Sequence, residues 1–397
     1  MEKALPLLWP LLAAAFMAAA STAESVPVAA ATALSTRSAN GTSSRYSRFF
    51  SFGDSQIDTG NYIRYSADPG PVSRLPYGET FFHRPTGRWS DGRLIVDFIV
   101  ERLGFPYWPP YLAGKTAEDF RYGANFAVTG ATALSQAFFK EKGLDIDDIT
   151  PYSLGAQIEW LKKVLATLGS TDHERREIMA TSLFLVGEMG ANDYNQFPPF
   201  TQTNMTLGSV RSLVPLVIHS IGLALKALIN LGAKTLYVPG IFPLGCIPRY
   251  MFQFSDSSGA GDYDPDTGCL RWPDDLAVLH NTLLKAELAA LRRTHPDVSV
   301  VYVDYYGAFR GIVAEPAENG FGLRTVLDVC CGGGGPHNAN LTVVGCTLPG
   351  YVLCPDPSTY VCWDGLHNTE AVNKIIARGM LDGPYATPPI MSRRWTE

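Results

Sequence analysis

The sequence predicts an α/β fold, a single layer of buried parallel strands between helices. Two observations carry that prediction. Short apolar runs flanked by Gly, Pro or polar residues alternate along the chain with longer stretches of helical period. With 397 residues, 46% of them hydrophobic and 18% charged, the chain can bury one large core, and no linker or composition break divides it.

Taken in order, the first element is an export signal over 1–23: Lys3, an apolar run from Leu5 to Ala20, then Ser21-Thr22-Ala23 as a small-residue cleavage site. The run is shorter than the ~20 residues a spanning helix needs, which favours cleavage over anchoring. Residues 24–44 are rich in Ala, Ser and Thr without apolar period and read as a flexible lead-in, leaving 45–397 as one domain. Strands are expected at Arg48–Gly53, Ser182–Glu188, Lys234–Gly240 and Val298–Tyr305. Helices are expected at Arg93–Leu103, Ser153–Leu168, Val210–Leu231, Asp274–Arg293 and Glu370–Met380. Pro/Gly-rich insertions at 67–92 and 252–268 account for much of the length. No segment after the signal runs far enough without charge or Pro to span a bilayer, so no stable membrane insertion is expected after cleavage.

Thirty-eight acidic against 32 basic residues give a net charge of -6, and the Lys and Arg are scattered, which argues against nucleic acid as a partner. The seven cysteines all lie between Cys246 and Cys362, in a chain whose signal leads to a disulfide-permissive compartment. An odd count leaves at least one thiol free. No Cys-x-x-Cys pair and no suitably spaced His suggest a metal site, and adjacent Cys330 and Cys331 suit two separate bridges. Asn40, Asn204 and Asn340 begin sequons open to glycosylation.

Three places carry candidate chemistry. Phe52-Gly53-Asp54-Ser55 ends the first strand, where a Ser opening a helix has a free backbone N–H to face an oxyanion; an ordinary helix cap reads the same way. Asp364 and His367 stand three residues apart, and one helical turn would let Asp364 orient His367 so that Nε2 takes a proton from a serine. Gly190-Ala191-Asn192-Asp193 follows an apolar strand and brings an amide to the same sheet edge, as an oxyanion donor or a turn residue. Gly332 to Gly335 lacks the Lys-Ser/Thr of a phosphate loop, and Tyr107, Trp108 and Tyr111 read as packing more than as cleft wall.

Together these blocks resemble the plant branch of the GDSL, or SGNH, family of serine ester hydrolases. Phe52-Gly53-Asp54-Ser55 with Asp58-Thr59-Gly60-Asn61 matches the first block, and Gly123-Ala124-Asn125-Phe126-Ala127-Val128-Thr129-Gly130-Ala131 is similar to the second. Gly190 to Asp193 matches the third, and Asp364-Gly365-Leu366-His367 the fifth. The resemblance implies a flavodoxin-like fold of about five parallel strands. It implies Ser55, His367 and Asp364 as a catalytic triad, and Ser55, Gly130 and Asn192 as the oxyanion hole. It implies no cofactor and no metal. The residue after the serine, usually Leu, is Gln56 here. Cys362 stands where relatives generally carry another residue and is the candidate free thiol, leaving disulfides among Cys246, Cys269, Cys330, Cys331, Cys346 and Cys354; the nearest in sequence to Cys246 is Cys269, and that pair is the one expected. The nearest subgroup acts on acetyl or sinapoyl esters of plant metabolites or of acetylated wall polysaccharide. A secreted enzyme of the apoplast or cell wall is expected, with Golgi lumen or vacuole as alternatives. Acyl transfer by the same triad and non-catalytic sugar binding are the competing functions. Glycoside hydrolysis would need a facing pair of carboxylates that the sequence does not identify.

Overall fold

A computed structural model describes residues 45–143, 150–195, 200, 207–323, 325–339 and 346–391. The expected signal at 1–23, the lead-in at 24–44 and the sequon residues Asn40, Asn204 and Asn340 lie outside the described residues.

Five strands make one parallel sheet: β1 (Arg48–Phe52), β2 (Gly123–Asn125), β3 (Ser182–Val186), β4 (Thr235–Pro239) and β5 (Ser299–Val303), in the order β2-β1-β3-β4-β5. β1 runs in register with β3 from Arg48 opposite Ser182 to Phe52 opposite Val186, and pairs on its other side with Gly123 to Asn125. Helices cover both faces, so the strands read as near-continuous apolar runs, with Phe49, Phe50, Phe52 and Phe184 fully buried. The four expected strands are present, each one to three residues shorter than expected. β2 was not expected as a strand, because three residues are too few to show a period. Its Gly123 stands at φ +117°, where a Cβ would lie 1.8 Å from the Phe49 carbonyl oxygen. Only glycine lets the two chains approach so closely.

The expected helices are found at Ile95–Leu103, Leu154–Leu168, Leu207–Leu231, Arg271–Thr294 and Glu370–Asp382. Helices at Asp172–Ala180 and Tyr305–Ala314 are additional. The first of these is mostly polar and starts in a capping box between Thr171 and Glu174, burying only Ile178 and Met179. Leu207–Leu231 is long and apolar enough, by composition, to cross a bilayer. It nonetheless carries Arg211, Pro215 and Lys226, and buries Val214, Val217, Leu225 and Leu228 against Leu154–Leu168 and Arg271–Thr294. It is a core helix.

Disulfides join Cys246 to Cys269, Cys330 to Cys354 and Cys331 to Cys346, and Cys362 is a buried free thiol. The two bridges at Cys330 and Cys331 enclose a small separate core of Val72, Tyr77, Cys346 and Trp363. Trp108 packs on Phe49 and Tyr111 on Trp160, as expected of core aromatics, whereas Tyr107 is exposed and contacts Glu101.

Candidate active site

At the carboxyl end of β1 the chain must turn out of the sheet, and Gln157 fixes where it does so. Its amide accepts from Gly53 N at 2.9 Å and donates to Gly53 O at 2.8 Å, an oxygen that also accepts from Val128 N at 3.1 Å. Ser55 does not open a helix. Asp54 accepts from the Gln56 N–H at 3.0 Å, closing a side-chain turn, and Ile57 N reaches Asp54 O at 3.3 Å. The turn still leaves the Ser55 N–H without a partner among the described residues.

Asp58 holds the next stretch by accepting from the N–H groups of Gly60, Asn61 and Thr129 at 2.7–2.9 Å. Asn61 donates to the carbonyls of Asn125 and Ala127 at 3.0 and 2.8 Å. These bonds tie the turn after β1 to the loop after β2, which ends in Gly130 at φ +75°. The Gly130 N–H, like that of Ser55, has no partner among the described residues.

The segment Asp364 to His367 is not helical. Asp364 accepts from Leu366 N at 2.8 Å and His367 N at 2.9 Å, so a carboxylate-closed turn brings the two side chains together instead of a helical turn. His367 Nδ1 then donates to Asp364 at 2.9 Å, leaving Nε2 2.9 Å from the Ser55 hydroxyl. All three are buried: Ser55 is 8% exposed, His367 6% and Asp364 2%. Burial pushes the Asp364 carboxyl up, yet the His367 ring, its hydrogen bond, the Leu366 N–H and the Tyr77 hydroxyl together hold it below the usual range.

Asn192 sits in the short helix Ala191–Asn195 that follows β3, two elements that meet β1 at the point where the strand order reverses. Its amide donates to Asp54 at 2.9 Å and to the Ala131 carbonyl at 3.1 Å. Both hydrogens are thus engaged in the resting state. Asp193 accepts from Ala133 N and Leu134 N at 2.8 and 2.9 Å, joining this helix to the loop that carries Gly130. A small cleft opens over Ser55, Asn192 and His367, lined also by Asp54 and Glu188 and by Phe242, Leu244, Ile247, Tyr250 and Leu366 as an apolar wall. Gln56 also lines it and donates to the Leu366 carbonyl at 3.3 Å, bridging the serine and histidine turns. Gly130 is not among the lining residues.

Sequence reasoning missed two aromatic supports. Trp89 lies in the Pro/Gly-rich insertion and stacks on the His367 ring, centroids 4.9 Å apart and planes at 27°, with its indole N–H on Thr129 at 2.8 Å. Tyr77 donates to Asp364. No spacing rule joins an insertion to a turn nearly three hundred residues later, so neither was legible.

The chain matches the GDSL-like lipase/acylhydrolase family over residues 49–380. It is similar to a sinapine esterase of Brassica napus, 46% identical over 347 residues that cover 87% of both chains. It is also 46% identical over 346 residues to a GDSL esterase/lipase of Arabidopsis thaliana, covering 87% of this chain and 86% of that one. A further Arabidopsis thaliana GDSL esterase/lipase is 44% identical over 349 residues, 87% of this chain and 92% of its own.

Proposed function

The chain belongs to the GDSL-like lipase/acylhydrolase family and is a hydrolase of ester bonds, and from that premise we propose that Ser55, His367 and Asp364 act as its catalytic triad. The observation that carries the reading is the unbroken relay from the Asp364 carboxylate through the His367 ring to the Ser55 hydroxyl, at 2.9 Å for each step. Ser55 Oγ attacks the ester carbonyl as its proton passes to His367 Nε2, and the Asp364 carboxylate stabilises the imidazolium that forms. His367 returns that proton to the leaving alcohol. Water, deprotonated by the same nitrogen, then attacks the acyl carbon, and as the bond to Ser55 Oγ breaks that proton passes from Nε2 to Oγ and the acid leaves.

The oxyanion is received by the N–H groups of Ser55 and Gly130, both unclaimed at rest, and by Asn192. Asn192 gives the oxyanion the hydrogen that it lends Ala131 in the resting state and keeps its bond to Asp54 as the pivot. The cleft's apolar wall beside Ser55 suits a short acyl or an aromatic acyl ester, of acetyl or sinapoyl type. The sinapine esterase among the relatives supports the second. The chain acts after export, with residues 1–23 as the signal and the three disulfides as products of an oxidising compartment.

A screen of acetyl, feruloyl, sinapoyl and long-chain esters against the mature protein tests the reading. Turnover of a short or aromatic acyl ester that Ser55→Ala nearly abolishes, with melting temperature kept, is the expected result. Undiminished turnover by the variant removes Ser55 as nucleophile.

A further inference from the structure

Behind Ser55 two acidic side chains meet. Asp54 and Glu188 are each only 3% exposed and line the same cleft, and the β1–β3 register, continued by Gly187 N donating to Phe52 O at 2.7 Å, sets Glu188 beside Asp54. Two touching carboxylates in a buried site cannot both ionise, so the contact needs a proton between them.

We propose that Glu188 is a positioning residue, holding the proton of this pair so that Asp54 stays an acceptor that fixes the Asn192 amide. The proposal rests on the esterase reading above and adds to it the group that keeps one oxyanion donor in place.

The hydrogen bonds decide which partner carries the proton. Asp54 accepts from Gln56 N on one oxygen at 3.0 Å and from Asn192 Nδ2 on the other at 2.9 Å, so its negative charge is used on both sides. Among the described residues Glu188 has the Phe242 N–H as its one backbone donor and is the member with a hydroxyl to spare for Asp54. Asn192 donates to Asp54 and Ala131, so a protonated or displaced Asp54 would free the amide to turn away from the cleft.

The other titratable groups around the pair are His367 across Ser55, Asp58 in the same turn, Asp193 in the helix after β3, Tyr250 with Arg249 beside it, and Tyr305. Burial raises Glu188 well above the usual carboxylate range, and the Asp54 charge raises it further. Burial pushes Asp54 up to about 7, against the Gln56 N–H and His367, which pull it down. Rising pH therefore removes the shared proton last from Glu188, puts two charges in one buried site and loosens Asn192. Activity falls on the alkaline side.

Glu188→Gln and Glu188→Leu separate this from mere packing. Gln keeps a donor to Asp54 that no base removes, whereas Leu fills the space and donates nothing. Expected are a fall of about 10-fold in kcat for Glu188→Leu with KM little changed, recovery of most of that kcat in Glu188→Gln, and an alkaline limb in Glu188→Gln that moves to higher pH. Equal losses in the two variants, or an alkaline limb identical to wild type in Glu188→Gln, overturn the proposal. A readout independent of turnover is the infrared difference between wild type and Glu188→Gln at neutral pH. Loss of a protonated-carboxyl carbonyl band in the variant is expected, and no such loss rejects the shared proton. A wild type that cleaves no ester would sink the esterase reading while leaving the infrared result to judge the pair.

Discussion

The Tyr77 hydroxyl donates to Asp364 Oδ2 at 2.8 Å, across 287 positions of sequence and inside a core that is closed to water. Its ring also meets Trp89 and Trp363 edge to face, at 5.6 and 5.7 Å between centroids. One residue therefore both satisfies the carboxylate and braces the tryptophan that stacks on His367.

Tyr77→Phe keeps the ring contacts and removes only the donor. A hydrogen bond to a charged group contributes roughly 1.5–3 kcal/mol, so kcat/KM is expected to fall about 10-fold or more, with KM little changed. The acid limb of the rate profile should also move to higher pH, since the Asp364 carboxyl loses one of the bonds that hold it low. Saturation curves across pH for both proteins check this; a change confined to KM contradicts it.

Asn192→Ala is expected to lower kcat by roughly 10²-fold while KM stays near wild type, because the oxyanion exists only along the reaction path. The measurement is a saturation curve beside a melting temperature. A raised KM with unchanged kcat would leave Ser55 and Gly130 as the only proposed donors.

Thiol counting tests the disulfide frame. Cys330 N donates to the Cys362 carbonyl and Cys331 N to that of Trp363, so the bridges to Cys354 and Cys346 back the segment that leads into Asp364. A Cys331→Ser/Cys346→Ser double variant should lose both melting temperature and kcat, the open loop costing about 3 kcal/mol by chain entropy. Cys246→Ser/Cys269→Ser should lose mainly melting temperature. In the native protein no thiol should react with an alkylating reagent, since Cys362 is 2% exposed and burial, then Asp364, pushes its thiol up. Unfolding without reductant should expose one.

Asp193 gives the folded state a pH dependence. Burial pushes its carboxyl up to about 7, against the Leu134 and Ala133 N–H groups that pull it down. The folded state then binds this proton more tightly than the unfolded chain, so its share of stability is full below the ordinary carboxylate range and lost as pH rises to about 7. Asp193→Asn should therefore show a smaller drop in melting temperature between mildly acidic and mildly alkaline buffer than wild type. An equal drop in both would contradict the assignment.

How much of this the sequence showed follows from what a local pattern records. Phe49 to Phe52 and Leu183 to Val186 are buried on both faces and announce themselves as strands. Gly123 to Asn125 is a strand only because Phe49 and Ser51 lie beside it, a fact of pairing and not of period. Asp364 and His367 were legible as a pair by spacing, but the spacing suggested a helix where the Asp364 carboxylate closes a turn. Ser55 likewise sits in a turn set by Asp54 and Gln157, not at a helix start. Tyr77, Trp89 and Glu188 act through contacts between distant segments, and nothing near them in the chain distinguishes them from core residues.

The central claim is that Ser55 is the nucleophile activated by His367 and Asp364. Covalent trapping tests it most directly: the mature protein is treated with a fluorophosphonate ester, digested and mapped by mass spectrometry. One adduct per chain is expected, on the peptide that contains Ser55, formed far more slowly in the folded His367→Ala variant and absent from Ser55→Ala. An adduct on another residue, or labelling of wild type and His367→Ala at equal rates, would contradict the account.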